Sequence, residues 1–443
     1  MTDDGRTPGI DRRPDAGPAP EAGPAPEAGS AMPPGEPGEA RSRSLAGRLG
    51  GLVRSLVIPA LAILSGLVIG ALVIVFSDVK VVGLWTSDPG AAFAASVRAV
   101  ANAYGALFAG SLGDPGKIVA AITSGDPDQM TRALRPISES LLSSTPLIFT
   151  GLSVALGFRS GLFNIGAEGQ LYVGALFAVI AGFSFAGLPA FVHIPLAIAF
   201  GFLGGALWGF VPGLLKARTG AHEVIVTIML NYVAYRFIDL ALKNPLVQRE
   251  GATNPISKFV LDGAAVPFII PGLRVTWWFV VALGAAVVIS WLLFKSTKGF
   301  ELRAVGLNPH AARYAGMNIA LTTVLTMVIA GGLAGLAGAS VMLVPQGKLT
   351  PGFSPGYGFD AIALALLGKS RPSGVVTAAL LFGVLRAGAT PMQAATAIPI
   401  DLVVVVQALV IMFIAAPALV RGLYRLPAPK AAQAEVFTKG WGS

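Results

Sequence analysis

Polar side chains interrupt an apolar part of the sequence at residues 163–170, which read FNIGAEGQ. Asn164, Glu168 and Gln170 stand there between two almost wholly apolar runs, together with two glycines. Carboxylate and amide groups can bind the hydroxyl groups of a small solute, and they can equally bind backbone groups that are freed where a membrane helix breaks. Glycine favours such a break. We therefore expect these three side chains either to line a path for a solute or to pin a broken helix beside that path.

Four more polar residues lie in or beside apolar runs. Glu223 and Asn231 flank the apolar stretch of HEVIVTIMLNY. Asp360 begins a short apolar run, and Gln407 lies inside the last one. A charge at the centre of a bilayer costs about 2.5–3.5 kcal/mol, so such residues tend to face a bundle interior or water. For Glu223 and Asp360, a helix end at the membrane surface is the alternative. The candidate path residues are Phe163, Asn164, Glu168, Gln170, Glu223, Asn231, Asp360 and Gln407.

The sequence offers no recognisable catalytic or metal-binding set. Its three histidines are far apart and show no metal-ligand spacing, and it has no cysteine for a thiolate site or a nucleophile. LALLGKS at 364–370 resembles the end of a phosphate-binding loop, but position 363 is alanine where that loop needs glycine. The segment is also apolar, whereas such a loop follows a soluble strand. We therefore expect no catalysis, no metal and no cofactor in this chain.

The elements that must position these residues are membrane helices. Of the 443 residues, 54% are apolar and 12% charged, whereas globular proteins carry about 25% charged residues. Apolar runs near the length of a span recur, so the sequence predicts an all-α polytopic membrane protein with about ten transmembrane elements. The predicted elements are 52–76, 137–158, 167–187, 191–215, 222–242, 275–294, 319–344, 359–368, 373–389 and 398–420. The element 359–368 is too short to cross as a straight helix and should be a half-helix.

The ends of the chain have a different composition from the apolar part. Residues 1–45 are rich in Pro, Gly, Ala and Glu and should form a disordered cytoplasmic tail. A transmembrane domain at 46–425 follows, and then a second cytoplasmic tail at 426–443.

Basic residues beside the spans predict the orientation. The net charge is +9, but the arginines and lysines cluster next to apolar runs and form no basic-aromatic motif, so no nucleic-acid partner is expected. With ten elements, both termini are cytoplasmic. Residues 77–136 and 243–274 are then extracytoplasmic, with an amphipathic helix at 90–110, and residues 296–318 form a cytoplasmic loop.

Small residues at helical spacing predict close packing between spans. Two predicted spans carry a glycine at every fourth position: Gly201, Gly205, Gly209 and Gly213 in one, Gly331 and Gly335 in the other. Because lipid provides no hydrophobic drive for helix association, such glycines let two backbones approach closely. The pattern indicates a compact bundle and does not distinguish a transporter from a channel.

The cytoplasmic stretch ELRAVGLNPHAARYAGMN, residues 301–318, carries the signals of a short capped helix. Asn308 suits the N-cap, Pro309 the first helical position and Gly316 the C-terminal cap. About two turns result, which are not stable in isolation. This helix should therefore be held by a partner protein, or lie on the membrane. The candidate docking residues are Arg303, Gly306, Asn308, Pro309, Arg313, Tyr314 and Gly316.

Four stretches together resemble a known family. GLFNIGAEGQ, HEVIVTIMLNY, GFELRAVGLNPHAARYAGMN and GFDAIALALLG are similar, in this order, to permease subunits of bacterial ABC importers for nucleosides, within the larger group of ribose-type and branched-chain amino acid permeases. The resemblance covers about 137–420. It implies a ten-helix permease in the bacterial plasma membrane, paired with a second related permease. It also implies a cytoplasmic ATPase that binds ATP and an extracytoplasmic lipoprotein that captures nucleoside.

The resemblance further assigns roles to two segments. It implies that 302–316 is the coupling helix that docks in the ATPase, and that the break at 163–170 lies at the translocation path. The chain would then be a transport subunit and not an enzyme. The alternatives are import of a sugar or an amino acid within the same family, or ion-coupled secondary transport in which Glu168 titrates. A channel or a membrane enzyme lacks a filter or a catalytic set in this sequence.

Overall fold

The computed structural model describes residues 45–396, 399 and 401–426. The described residues from 53 onward form one compact unit, and the first turns of the first helix, 45–52, belong to a separate unit. The two predicted cytoplasmic tails lie almost wholly outside the described residues.

Helices account for nearly all regular structure in the described part of the chain. The α-helices are α1 Leu45–Ser77, α2 Val79–Ser87, α3 Pro89–Leu112, α4 Pro115–Ser124, α5 Pro127–Arg159, α6 Ala167–Ser184, α7 Ala190–Thr219, α8 Glu223–Ala241, α9 Trp278–Lys295, α10 Thr297–Leu307, α11 Pro309–Tyr314, α12 Ile319–Met342, α13 Tyr357–Leu367, α14 Pro372–Thr396, α15 Asp401–Ala415 and α16 Pro417–Leu423. The long 242–277 connection contains one short 3₁₀ helix, Asp262–Ala264, and two isolated β-bridges.

The prediction of an all-α polytopic membrane protein is confirmed. Nine stretches of the described chain are long and apolar enough to cross a membrane. Helices α6, α7, α8, α9 and α12 match their predicted spans within four residues at each end. The predicted half-helix is α13, whose eleven residues extend only about 16 Å at 1.5 Å per residue.

The largest difference from the sequence prediction lies between residues 77 and 136. The expected amphipathic helix exists as α3, but it packs against α14 and α5, and Pro89–Ser124 qualifies as a span by length and hydropathy. Its polar residues conceal this character in the sequence. Ser96 and Ser111 are buried, and their hydroxyls donate to the carbonyl oxygens four residues earlier, at 2.8 and 2.9 Å. The predicted orientation rests on ten elements, none of which lies in this segment, so the orientation of the termini stays a prediction.

Other helix ends also differ from prediction. Helix α5 starts ten residues earlier than its predicted span, because Asp126 accepts a hydrogen bond from the Asp128 amide and Pro127 occupies the first position. Helix α14 continues past its predicted end to Thr396. The predicted last span is divided, since α15 ends at Ala415 and α16 begins at Pro417.

Glycine packing joins α7 to α12, as the sequence predicted. A Cβ atom added to Gly205 would collide with the backbone of Gly331 and Gly335, and one added to Gly209 would collide with the backbone at Met327. The two helix backbones are therefore in direct contact. Helix α6 and the most apolar 18-residue stretch of α5, each with 78% of its residues buried, occupy the centre of the bundle. The functional residues below lie on α6 and on its neighbours.

Candidate functional site

Two helix N-termini meet at the centre of the bundle. After α5 ends, residues 160–166 run without regular structure to the start of α6, and α13 starts after Gly356, whose φ is +95°. A Cβ atom on Gly358 would collide with the backbone of Ala167 and Glu168. The first turns of α6 and α13 therefore touch through their backbones, and only glycine fits at position 358.

Glu168 connects these two helix starts. Its side chain is 1% exposed, and Oε2 accepts a hydrogen bond of 2.6 Å from the backbone N–H of Gly358. In the same turn, Ser354 Oγ accepts hydrogen bonds from the amides of Gly356 and Tyr357. The free amides at a helix start favour an acceptor or an anion. Glu168, on the neighbouring helix α6, therefore accepts a hydrogen bond from one of the free amides at the N-terminus of α13.

Asn164 and Gln170 bind each other across the start of α6. Asn164 Nδ2 donates to Gln170 Oε1 at 2.8 Å, and Gln170 Nε2 donates to Asn164 Oδ1 at 3.2 Å. Asn164 Oδ1 also accepts from the backbone N–H of Gly166 at 3.1 Å. Both side chains are almost fully buried, at 0% and 1% exposure. These bonds fold the irregular segment back onto the first turn of α6.

Asn231, on the middle of α8, holds the same break from a third helix. Its Oδ1 accepts from the backbone N–H of Gly169 at 2.8 Å, and its Nδ2 donates to the backbone carbonyl of Ile165 at 3.0 Å. Asn231 is 1% exposed. The structure thus brings four predicted site residues together, and the contacts that it shows for them are largely to backbone groups and to one another.

Three other candidates make different contacts. Glu223 is the first residue of α8 and forms an ion pair with Lys216 near the end of α7. Phe163 is half-buried, and its ring packs on that of Phe158 at 4.6 Å between centroids. Gln407 is buried in α15.

Asp360 has a partner that is not among the predicted site residues. Asp360 Oδ2 accepts a hydrogen bond of 3.0 Å from Nη2 of Arg386, on α14. Arg386 is the only charged residue of that 25-residue helix. Arg386 could have been recognised as a candidate from the sequence, because a lone arginine within an apolar run needs a partner.

The predicted docking segment forms two helices. Helix α10 ends at Leu307, and Asn308 then caps α11 by accepting a bond of 3.0 Å from the Ala311 amide. Pro309 occupies the first position, and Gly316 follows the helix with φ +80°. The predicted caps are confirmed, whereas the single helix over 302–316 is wrong, because the break at Asn308 divides it.

The side chains of this segment differ in exposure. Arg313 is exposed and Tyr314 is 95% exposed. Arg303 is half-buried, because its guanidinium lies 5.5 Å from the centroid of the Phe294 ring. Gly306 lies inside α10 and contacts the backbone at Gly161, just after α5. The surface open to a partner is therefore α11, and α10 connects it to the bundle.

The bundle contains helices of membrane length, and the N-termini of α6 and α13 meet at its polar centre. This arrangement is typical of polytopic membrane proteins that transport solutes. Residues 137–415 match the model of the family described as branched-chain amino acid transport system / permease component. The chain therefore belongs to this permease family, as the resemblance implied.

Several curated relatives are similar over most of the chain. The guanosine ABC transporter permease protein NupP of Bacillus subtilis is 39% identical over 368 residues, which cover 83% of this chain and 94% of the relative. The nucleoside ABC transporter permease protein NupB of Lactococcus lactis is 37% identical and covers 70% of this chain and 86% of its own. The glucose ABC transporter permease protein TsgB13 of Haloferax volcanii is 36% identical, over 63% of this chain and 75% of its own. No solved structure gives a significant match.

Proposed function

We propose that this permease subunit translocates nucleosides in an ATP-driven importer of the bacterial plasma membrane. The observation that carries the proposal is the similarity to permease proteins named for guanosine and for nucleosides, which extends over 83% and 70% of this chain. In this proposal both termini are cytoplasmic, and the path for the nucleoside passes the meeting point of α6 and α13.

The proposed partners rest on the similarity to proteins named as ABC transporter permeases. A cytoplasmic ABC ATPase binds α11, on which Tyr314 is 95% exposed and Arg313 is available. A second related permease subunit completes the membrane part, and an extracytoplasmic substrate-binding lipoprotein delivers the nucleoside. Membrane lipid surrounds the assembly.

A sugar is the alternative cargo, because the glucose permease of Haloferax volcanii is 36% identical to this chain. Nucleosides and sugars are both rich in hydroxyl groups, so the polar residues near the path do not separate them. Direct competition between a nucleoside and a sugar for uptake distinguishes the two cargoes. Ion-coupled transport through Glu168 is a mechanistic alternative, which a protonophore tests.

The test is uptake of radiolabelled guanosine by the complete complex in proteoliposomes. We expect uptake that requires ATP on the side of the ATPase, survives a protonophore, and is inhibited by unlabelled nucleosides at far lower concentration than by glucose. A complex whose ATPase cannot hydrolyse ATP is the control. Uptake that the protonophore abolishes and that ATP removal leaves unchanged would refute the proposal. Inhibition by glucose and not by nucleosides would show that the cargo is a sugar.

A further inference from the structure

An ion pair crosses between two helices within the membrane part of the bundle. Arg386 lies well inside α14, the span Pro372–Thr396, and Asp360 lies in the first turn of the half-helix α13. The nitrogen and oxygen atoms of the pair are 3.0 Å apart. Neither α13 nor α14 contains any other charged residue.

Three contacts of Arg386 converge on the start of α13. Besides Asp360, its Nη2 donates to the backbone carbonyl of Pro355 at 3.3 Å, and its guanidinium carbon lies 4.8 Å from the centroid of the Tyr357 ring. Glu168 binds the Gly358 amide of the same turn from α6. The N-terminus of α13 is therefore held by a charged residue of α14 and by an acidic residue of α6.

The ion pair is not sealed inside the protein. The side chains of Arg386 and Asp360 are 19% and 24% exposed, and the adjacent Phe359 is 46% exposed. A charged pair that is exposed at membrane depth is costly against hydrocarbon, and such residues face either water or other protein. A transport subunit requires a hydrated route, and the two broken elements α6 and α13 meet one turn away.

We propose that Arg386 is a positioning residue for transport: it holds the N-terminus of α13 at the wall of the hydrated path, and the Phe359–Asp360 face of α13 is open to water. The positioning part rests on the proposed function. The water-facing part does not, because it concerns the environment of the helix and no cargo.

The absence of cysteine from the sequence makes the environment directly measurable. A hydrophilic methanethiosulfonate reagent reacts with thiolates, which form in water and not in hydrocarbon. Phe359→Cys is compared with Val287→Cys, which places the single cysteine on the membrane span α9. The native Val287 side chain is 69% exposed, so access to the surface is not what distinguishes the two positions. In the complete complex in liposomes, we expect labelling at position 359 to be at least about tenfold faster than at 287.

A rate at 359 that is no higher than at 287 would overturn the water-facing assignment, whether lipid or the second permease covers the face. Leu366→Cys, on the same side of α13 and 39% exposed, provides a second probe if Phe359→Cys yields no folded complex.

The positioning role is tested with Arg386→Gln, Arg386→Lys and the double variant Asp360→Asn/Arg386→Gln. Uptake is measured with Phe359 retained, and labelling is measured in the Phe359→Cys background. We expect Arg386→Gln to lower the maximal uptake rate about tenfold with the apparent KM within about threefold, and to change labelling at 359. Lysine should restore part of the rate, because it retains the partner charge. Arg386→Gln also leaves Asp360 without its partner charge, so it should lower the yield of folded complex. The double variant removes both charges, so it should recover folded yield but not uptake.

Wild-type uptake and labelling in Arg386→Gln would overturn the positioning role. Recovery of both yield and uptake in the double variant would do the same, since it would show that the pair only neutralises charge. If the unmodified complex takes up no nucleoside, the proposed function fails, and the labelling comparison still decides whether this face of α13 is hydrated.

Discussion

Replacement of Glu168 separates a structural role from contact with cargo. Glu168→Ala removes the acceptor of the Gly358 amide, whose hydrogen bond is 2.6 Å long in a site that is 1% exposed. An amide left unsatisfied in such a place costs about 1–3 kcal/mol. That corresponds to a change of roughly five- to 150-fold in the equilibrium between docked and undocked α13. Glu168→Gln keeps an amide oxygen as the acceptor, so its cost should be about 1 kcal/mol or less.

The assay pairs two measurements on the purified complex: resistance to unfolding in detergent, and the initial rate of guanosine uptake. Glu301→Ala is the matched control, because Glu301 is a surface carboxylate that pairs with Lys298 at 3.0 Å, and such pairs contribute about 0–1 kcal/mol. We expect Glu168→Ala to be clearly less stable than this control, and Glu168→Gln to lie near wild type. A Glu168→Ala complex with wild-type stability would refute the structural role. Loss of uptake at wild-type stability would then indicate contact with cargo.

Two further predictions concern packing and coupling. Gly205→Leu should separate α7 from α12 and cost about 1–3 kcal/mol or more, because its Cβ would already meet the backbone of the facing helix; Gly284→Leu, where nothing lies within 4 Å of the added Cβ, should leave resistance to unfolding unchanged. Gly316→Val forces a β-branched residue to φ +80°, at a cost of about 1–2 kcal/mol, and Arg313→Glu reverses an exposed charge on α11. Both variants should reduce co-purification of the ATPase and cargo-stimulated ATP hydrolysis while the bundle stays folded; normal coupling in both would show that α11 is not the docking element.

Local features of the fold could be predicted because their causes lie within a few residues of sequence. The α11 caps follow from Asn308, Pro309 and Gly316, each of which acts on its own turn. The half-helix α13 follows from the length of an apolar run. The contact between α7 and α12 follows from glycine spacing, because a stripe of glycines exposes backbone on one side of a helix.

The features that the sequence did not provide depend on distant partners. Glu168 and Gly358 are 190 residues apart, and no local pattern relates them. The partner of Asp360 was missed because Arg386 stands 26 residues away in a run that otherwise reads as a lipid-soluble span. Helix α3 was not counted as a possible span because serines that bond within their own helix look polar in a sequence.

The contacts of FNIGAEGQ bear on where cargo binds. Asn164, Gln170 and Asn231 are buried and already bonded to one another or to the freed backbone of the break. A group that leaves such a network to bind a solute would expose an unsatisfied amide or carbonyl, at about 1–3 kcal/mol for each group. Nucleoside binding would therefore have to compensate for that loss before it gained affinity. Asp360 lies beside the break and its side chain is 24% exposed. Its described hydrogen bond, from Arg386, uses Oδ2 alone, so Oδ1 can accept from a solute without breaking that bond. We therefore expect cargo contacts to come from the exposed face of α13 and from the second permease, while the polar residues of 163–170 keep the broken helix in place.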